Sequence, residues 1–218
     1  MSQTEKLTLY SDSFRDSPFV FTAFVALREK GLDFDLLDID LRAGQHRQPD
    51  YVARSLTGKV PVLCHGDFWL SESMAIAEYL AETFPFPDHP RIFPANLQER
   101  ARCRQVMMWL RTDLLALRKE RPTSLIFYPH TRAELLPLSD EAQRRAEELV
   151  RIAGQLIPPG QRQLFDSWCI ADADLMLALQ RLAATGYQLP APLGEYVEVQ
   201  WNRPSSQAFR DLVRPSVI

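Results

Sequence analysis

The chain has 218 residues, 46% hydrophobic and 24% charged, with a formal net charge of −3. This composition supports a packed core, excludes disorder as the main state, and lacks the basic excess of a nucleic-acid binder. Three cysteines without a CxxC pair, no 18-residue apolar window and an N-terminus, MSQTEKLTLY, without an apolar run predict a soluble, cytoplasmic protein with neither a disulfide framework nor a zinc site.

In chain order, Leu7–Tyr10 is a short strand candidate. Pro18–Lys30 is a helix candidate, with Ser17 as N-cap, proline at the first helical position and Gly31 as the stop. Phe34–Leu41 alternates apolar and acidic residues, with a slip at Leu36–Leu37, and reads as a second strand. A polar connector follows. Val60–Cys64 and Phe68–Leu70, joined through His65-Gly66-Asp67, read as a hairpin. Ser71–Phe84 reads as a helix, with Ile76, Leu80 and Phe84 four residues apart. The order β-α-β, connector, β-β-α is a thioredoxin-like pattern.

After Phe84 come four prolines in ten residues, at 85, 87, 90 and 94. Proline removes amide donors and blocks helix, so 85–96 reads as an extended linker. Charge changes there as well. Residues 1–84 carry 8 basic and 13 acidic side chains, a net of −5, and residues 85–218 carry 17 and 15, a net of +2. Beyond the linker, Cys103, Met107, Leu110, Leu114 and Leu117 predict one face of a long helix, and Ala142, Ala146, Leu149, Ala153 and Leu156 predict another after a Ser139 start. Ile170–Ala184 is apolar nearly all round, which predicts a central, buried helix. The expected fold class is α/β plus all-α: a thioredoxin-like domain over 1–84 and a helical bundle domain over 97–218.

Three short segments carry candidate chemistry. Ser17 sits just before a helix start, where exposed amides favour an anion; it serves either as a cap alone or as a donor to a thiolate. Pro61 opens a strand, and a cis Val60–Pro61 bond would leave the Val60 backbone open to an extended peptide. Ser71-Glu72-Ser73 puts hydroxyls and a carboxylate at a helix start, a cap by itself or a holder of a carboxylate and an adjacent ammonium. No two histidines have metal-ligand spacing, so no metal is expected.

In this order and combination, the segments at 17, 60–61 and 72–73 resemble the glutathione S-transferase family, in its serine-type, bacterial-like form. Ile170-Ala171-Asp172 is similar to that family's capping box in the second domain. The resemblance implies a transferase that activates the thiol of glutathione, its co-substrate, for attack on a small electrophile, with glutathione-dependent peroxide reduction as a related activity. It implies roles in detoxification and oxidative stress and a cytoplasmic homodimer, with no nucleic-acid or membrane partner. Ser17 corresponds to the thiol activator, with Tyr10 and Ser13 as alternatives. Val60 and Pro61 correspond to the backbone partner of the cysteinyl unit, and Glu72 and Ser73 to the holders of the γ-glutamyl group. Gln45, His46 and Lys59 lie where the glycyl carboxylate is approached. Trp109, Phe127 and Tyr128 are candidates for the electrophile groove. Serine at position 17 excludes the mixed disulfide that cysteine-type members form. Other readings of the same fold are an isomerase of the maleylacetoacetate type, which would need a basic rim near the electrophile, and a non-catalytic glutathione binder. Cys169 stands where the capping box normally has serine or threonine; cysteine is a weak cap, so either that helix end is less stable or its amide finds another partner.

Overall fold

A computed structural model describes residues 6–131 and 135–216. The first residues of the chain, read above for a secretory signal, lie outside this range. The chain divides into two compact units: one runs to Ile92 and includes Asp211–Ser216, and the other is Phe93–Arg210.

The first unit is built on a four-stranded sheet of order β2-β1-β3-β4. Its strands are β1 (Leu7–Asp12), β2 (Asp35–Ile39), β3 (Val62–His65) and β4 (Phe68–Ser71). β1 pairs in parallel with β2 and antiparallel with β3, which forms the expected hairpin with β4. Gly66 has φ 59° in the hairpin turn, where only a residue without Cβ is unstrained. Helix α1 (Pro18–Glu29) follows its sequence signals: Ser17 caps it and Gly31 closes it at φ 67°. Val20 to Leu27 are all buried, as expected of a helix that is apolar on every side. The connector holds a helix not foreseen from the sequence, α2 (Pro49–Ser55), which buries only Tyr51 and Ser55 and so has almost no apolar period to read. Helix α3 (Ser73–Thr83) starts two residues later than expected. Phe84 closes it rather than extending its stripe, and its ring packs against His65 and His89.

The proline-rich stretch is not a free linker over its whole length. The fully buried Lys30 donates from Nζ to the Pro90 carbonyl at 2.9 Å, and His89 Nδ1 meets the Lys30 carbonyl at 3.0 Å. Burial, together with nearby Arg91, lowers the Lys30 pKa. With Ile92 fully buried, these contacts fasten residues 85–92 to the first unit. The prolines stop helix formation here, but they do not prevent docking.

The second unit is helical: α4 (Leu97–Thr112), α5 (Leu115–Glu120), α6 (Ser124–Phe127), α7 (Asp140–Leu156), α8 (Ile170–Ala183), α9 (Ala191–Trp201) and α10 (Pro204–Arg210). Asn96 caps α4, accepting the Gln98 and Glu99 amides at 2.8 and 3.2 Å. The single long helix expected from Cys103 to Leu117 is broken between α4 and α5. Thr112 Oγ1 bonds back to the Met108 carbonyl at 3.1 Å and to Asp113 Oδ1 at 2.5 Å, and such side-chain bonds compete with the helical ladder. All five stripe residues are nevertheless buried, so the hydrophobic period survives the break. Helix α8 is central, packing on α4, α7 and α9. Each of its buried leucines, 175, 177, 179 and 182, contributes roughly 1.5–3 kcal/mol by leaving water.

At the start of α8 the Asp172 amide donates to the Cys169 carbonyl at 2.9 Å, and the other half of the capping box is intact. Asp172, fully buried, accepts the Cys169 amide on Oδ2 at 2.9 Å. Its Oδ1 accepts the Leu164 amide at 2.8 Å and the Tyr196 hydroxyl at 3.0 Å. One carboxylate thus ties the loop before α8, the start of α8 and α9 together. The tail was expected to lie with the helical domain, but Asp211–Ser216 returns to the first unit. Among the described residues, no helix is long and apolar enough to cross a membrane.

Candidate active site

The sheet register brings the candidate segments to one end of the first unit. Val62, which opens β3, lies opposite both Tyr10 near the end of β1 and Ser71 at the end of β4. Asp12 closes β1 opposite Ile39, the last residue of β2. The segments that leave or enter at this edge are therefore 13–17, 40–48, 59–61 and 72–73, and they carry every thiol-activating and glutathione-binding residue expected from the sequence except Tyr10.

Ser17 is the N-cap of α1, with φ −64° and ψ 124°, and its Oγ accepts the Val20 amide at 3.4 Å. The loop before it is organised by Asp12, which is 4% exposed. Asp12 Oδ2 accepts the Asp16 amide at 3.1 Å, and Oδ1 accepts the Ser17 amide at 3.2 Å. Ser11 Oγ donates to the Asp12 carbonyl at 2.9 Å and buttresses it. The sequence reading missed Asp12; an aspartate ahead of a Ser-Pro helix start was the available signal. Its carboxylate already occupies two of the amides at the helix start, so an incoming anion there meets the Ser17 hydroxyl rather than a vacant set of N–H groups.

The Val60–Pro61 bond is cis, as the strand-opening proline suggested, and the chain passes from it directly into β3. Glu72 has φ 72° and ψ 111°, a left-handed region that costs a residue with a Cβ on the order of 1–3 kcal/mol. Its carbonyl accepts the Ile76 amide at 2.9 Å, so Glu72 begins α3 while its exposed side chain stands outside the helix. Ser73 follows as the first residue of α3, 4% exposed. A strained, exposed glutamate beside a buried serine is the kind of local outlier that accompanies a binding role.

Gln45 and His46 lie in a short 3-10 turn after Gly44. Gln45 braces that turn, its Oε1 accepting the Asp40 amide at 2.8 Å. His46 Nδ1 is a buried side-chain nitrogen without a hydrogen-bond partner, and Nε2 accepts from Arg47 at 3.3 Å. The His46 carbonyl lies 3.5 Å from where a Cβ on Gly58 would stand, which brings the 45–47 turn next to exposed Lys59.

The two alternatives to Ser17 lie within β1 and just beyond its end. Tyr10 stacks on Trp69 at 4.9 Å and meets Tyr51 edge-on at 6.3 Å. Burial, with Cys64 adding to it, raises the Tyr10 pKa, so the ring belongs to an aromatic cluster between the sheet and α2. The Ser13 amide donates to the Ile39 carbonyl at 3.1 Å and extends the β1–β2 pairing. In the second unit, Phe127 packs on Phe209 and Trp201, and Tyr128 is 3% exposed. Among the described residues, no group of three His, Cys, Asp or Glu side chains is placed to hold a metal ion.

Comparison with known proteins covers nearly the whole chain. Residues 5–82 match the family profile for the glutathione S-transferase N-terminal domain, and residues 96–214 match that for the C-terminal domain. The chain is similar to Glutathione S-transferase F10 of Arabidopsis thaliana, with 31% identity over 213 residues, 93% of each chain. It is 36% identical to human Glutathione S-transferase theta-2 over 86 residues, 39% of this chain and 34% of that one. Among solved structures it resembles a glutathione transferase homologue from Burkholderia gl BGR1 with bound glutathione. The TM-score there is 0.76 at 38% identity, covering 94% of this chain and 96% of the other.

Proposed function

The chain belongs to the glutathione S-transferase family and is a glutathione transferase, and from that premise we propose that it is a serine-type member in which Ser17 activates the thiol. The observation that carries this reading is the place of Ser17. Its Oγ accepts from Val20 at the start of α1, so its proton is the donor presented to a sulfur at that edge of the sheet.

Bound glutathione lies along that edge in this reading. Its cysteinyl backbone pairs with Val60 ahead of Pro61, its γ-glutamyl ammonium and carboxylate meet Glu72 and Ser73, and its glycyl carboxylate faces His46 and Lys59, with Gln45 bracing the turn. His46 Nδ1, buried and without a partner, suits a carboxylate acceptor when protonated.

The chemistry follows from acidity. A free thiol has a pKa of about 8.5, so only a few per cent is thiolate at neutral pH. Lowering it by about two units requires roughly 2.7 kcal/mol of preference for the anion. A charge-assisted hydrogen bond from Ser17 supplies about 1.5–3 kcal/mol, and the α1 dipole adds a fraction of a kcal/mol, which together are sufficient. The thiol proton leaves to solvent. The sulfur lone pair then forms the bond to the electrophilic atom, and the leaving group departs with its electron pair. Peroxide reduction uses the same thiolate: attack on the outer oxygen breaks the O–O bond, giving a sulfenic acid and an alkoxide that takes up a proton and leaves as the alcohol, and a second glutathione converts the sulfenic acid to the disulfide with loss of water. A homodimer is the assembly the family resemblance supports.

The deciding experiment follows thiolate absorbance of bound glutathione from pH 5 to 9 in wild type and Ser17→Ala. Wild type is expected to show a depressed thiol pKa, and the variant is expected to bind glutathione without lowering it. Identical titrations would reduce Ser17 to a helix cap. Paired assays with a conjugation substrate and an organic hydroperoxide then separate the two reactions.

A further inference from the structure

The loop that carries Ser17 is held from a distant part of the chain. Arg15, at φ 52°, is a second residue with a Cβ in the left-handed region, two positions before Ser17. Its guanidinium donates to both carboxylate oxygens of Asp38 on β2, at 3.0 and 2.9 Å, and to the Val213 carbonyl at 2.9 Å. In return, Arg214 donates from Nε and Nη2 to the Arg15 carbonyl, both at 3.2 Å. The tail and the loop thus grip each other through reciprocal arginine–carbonyl bonds. A second cation approaches from the segment after β2: the Arg42 guanidinium lies 4.1 Å from the centre of the Phe14 ring.

Two of these cations, Arg214 and Arg42, act on a concentration of negative charge. Asp12 and Asp16 are neighbours, with Asp12 bound to the amides of Asp16 and Ser17. Burial pushes the Asp16 pKa up to about 6, the Asp12 carboxylate pushes the same way, and Arg214 and Arg42 pull it down. Two carboxylates beside the serine would repel a thiolate forming at its hydroxyl.

We propose that Arg214 is a positioning residue for Ser17: from the C-terminal tail it holds the Arg15 carbonyl and balances the Asp12–Asp16 pair, so that the loop supports a thiolate rather than opposing it. This rests on the serine reading above. The charged groups facing the pair are Arg42 and Arg214, while Arg15 is engaged with Asp38. Removing Arg214 therefore shifts the local balance toward negative.

The test uses the full chain as Arg214→Gln, Arg214→Lys and Arg214→Gln combined with Asp16→Asn. In Arg214→Gln the pKa of bound glutathione is expected to rise by about half a unit to one unit. Lysine, which keeps the charge but not the paired bonds, restores part of the shift. Asp16→Asn in the same background restores most of it, which a purely mechanical strap would not do. Arg42→Gln, which leaves the tail intact, shifts the thiol in the same direction and serves if Arg214→Gln does not fold. An unchanged thiol pKa in Arg214→Gln, or no rescue by Asp16→Asn, overturns the inference. Carboxyl NMR titration of Asp16 without glutathione separates the two claims. If wild-type glutathione shows no thiolate, the Ser17 reading fails; if the Asp16 midpoint does not rise in Arg214→Gln, the inference about Arg214 fails.

Discussion

Asp172 offers a quantitative test of how the helical unit is held together. Its carboxylate accepts the Leu164 amide, the Cys169 amide and the Tyr196 hydroxyl, at 2.8, 2.9 and 3.0 Å. Replacing it with alanine leaves the two amides buried without their acceptor, at a cost of about 1–3 kcal/mol each. The tyrosine keeps the Asp172 backbone carbonyl as an acceptor at 3.2 Å. Asparagine retains one acceptor oxygen but points N–H groups at the Cys169 amide, so it should cost less than alanine and still destabilise. The wild-type carboxylate carries its own penalty, because burial pushes its pKa up to about 6 despite these bonds. The unfolded value is near 3.9, so between about pH 4 and 6 the folded state binds more protons than the unfolded one. The associated stability is present in full below about pH 4 and is lost as pH rises through 6. A shift of about two units corresponds to roughly 3 kcal/mol.

The wild-type advantage over Asp172→Asn should therefore shrink by about that much between pH 4 and pH 7, while other titrating groups cancel in the difference. Urea unfolding of both proteins at the two pH values, with hydrogen exchange at the Leu164 and Cys169 amides, reads it directly. A pH-independent difference would refute the assignment of a raised pKa. A loss below about 1 kcal/mol in Asp172→Ala, with unchanged exchange at those amides, would refute the view that this carboxylate ties the three segments.

Two further outcomes bear on the first unit. Tyr10→Phe should keep kcat/KM and the thiol pH profile within about two-fold of wild type, because the phenol belongs to the Trp69–Tyr51 cluster; a loss as large as that of Ser17→Ala would return tyrosine to the role of activator. Glu72→Gly should raise the thermal midpoint, since glycine relieves the φ of 72°, while weakening glutathione about ten-fold or more by removing a charged partner of the ammonium; calorimetry of unfolding and of binding should show the two effects moving in opposite directions.

Several features were legible because they are local. Ser17-Pro18 followed by an apolar run, with Gly31 at its end, specifies α1 through capping and backbone preference alone. The apolar stripe from Cys103 to Leu117 identified which residues are buried, but not the break, because the competing bonds of Thr112 and Asp113 are not visible in hydrophobic period. Helix α2 has too few buried residues to show a period at all. The proline-rich stretch announced its lack of helix, yet its docking depends on Lys30, a charged residue sixty positions away whose burial no pattern signals.

The sequence by itself determined the two-part architecture, the helix start at Ser17 and the residue types at the candidate site, since these follow from preferences acting over a few neighbouring positions. Tertiary structure alone decided that strand pairing gathers the segments around 17, 46, 60 and 72 at one sheet edge, that Asp12 takes the amides at the start of α1, and that Arg214 returns to grip Arg15. These relations join residues far apart along the chain. Their energies come from pairings and charge balances that exist only once the backbone has closed on itself.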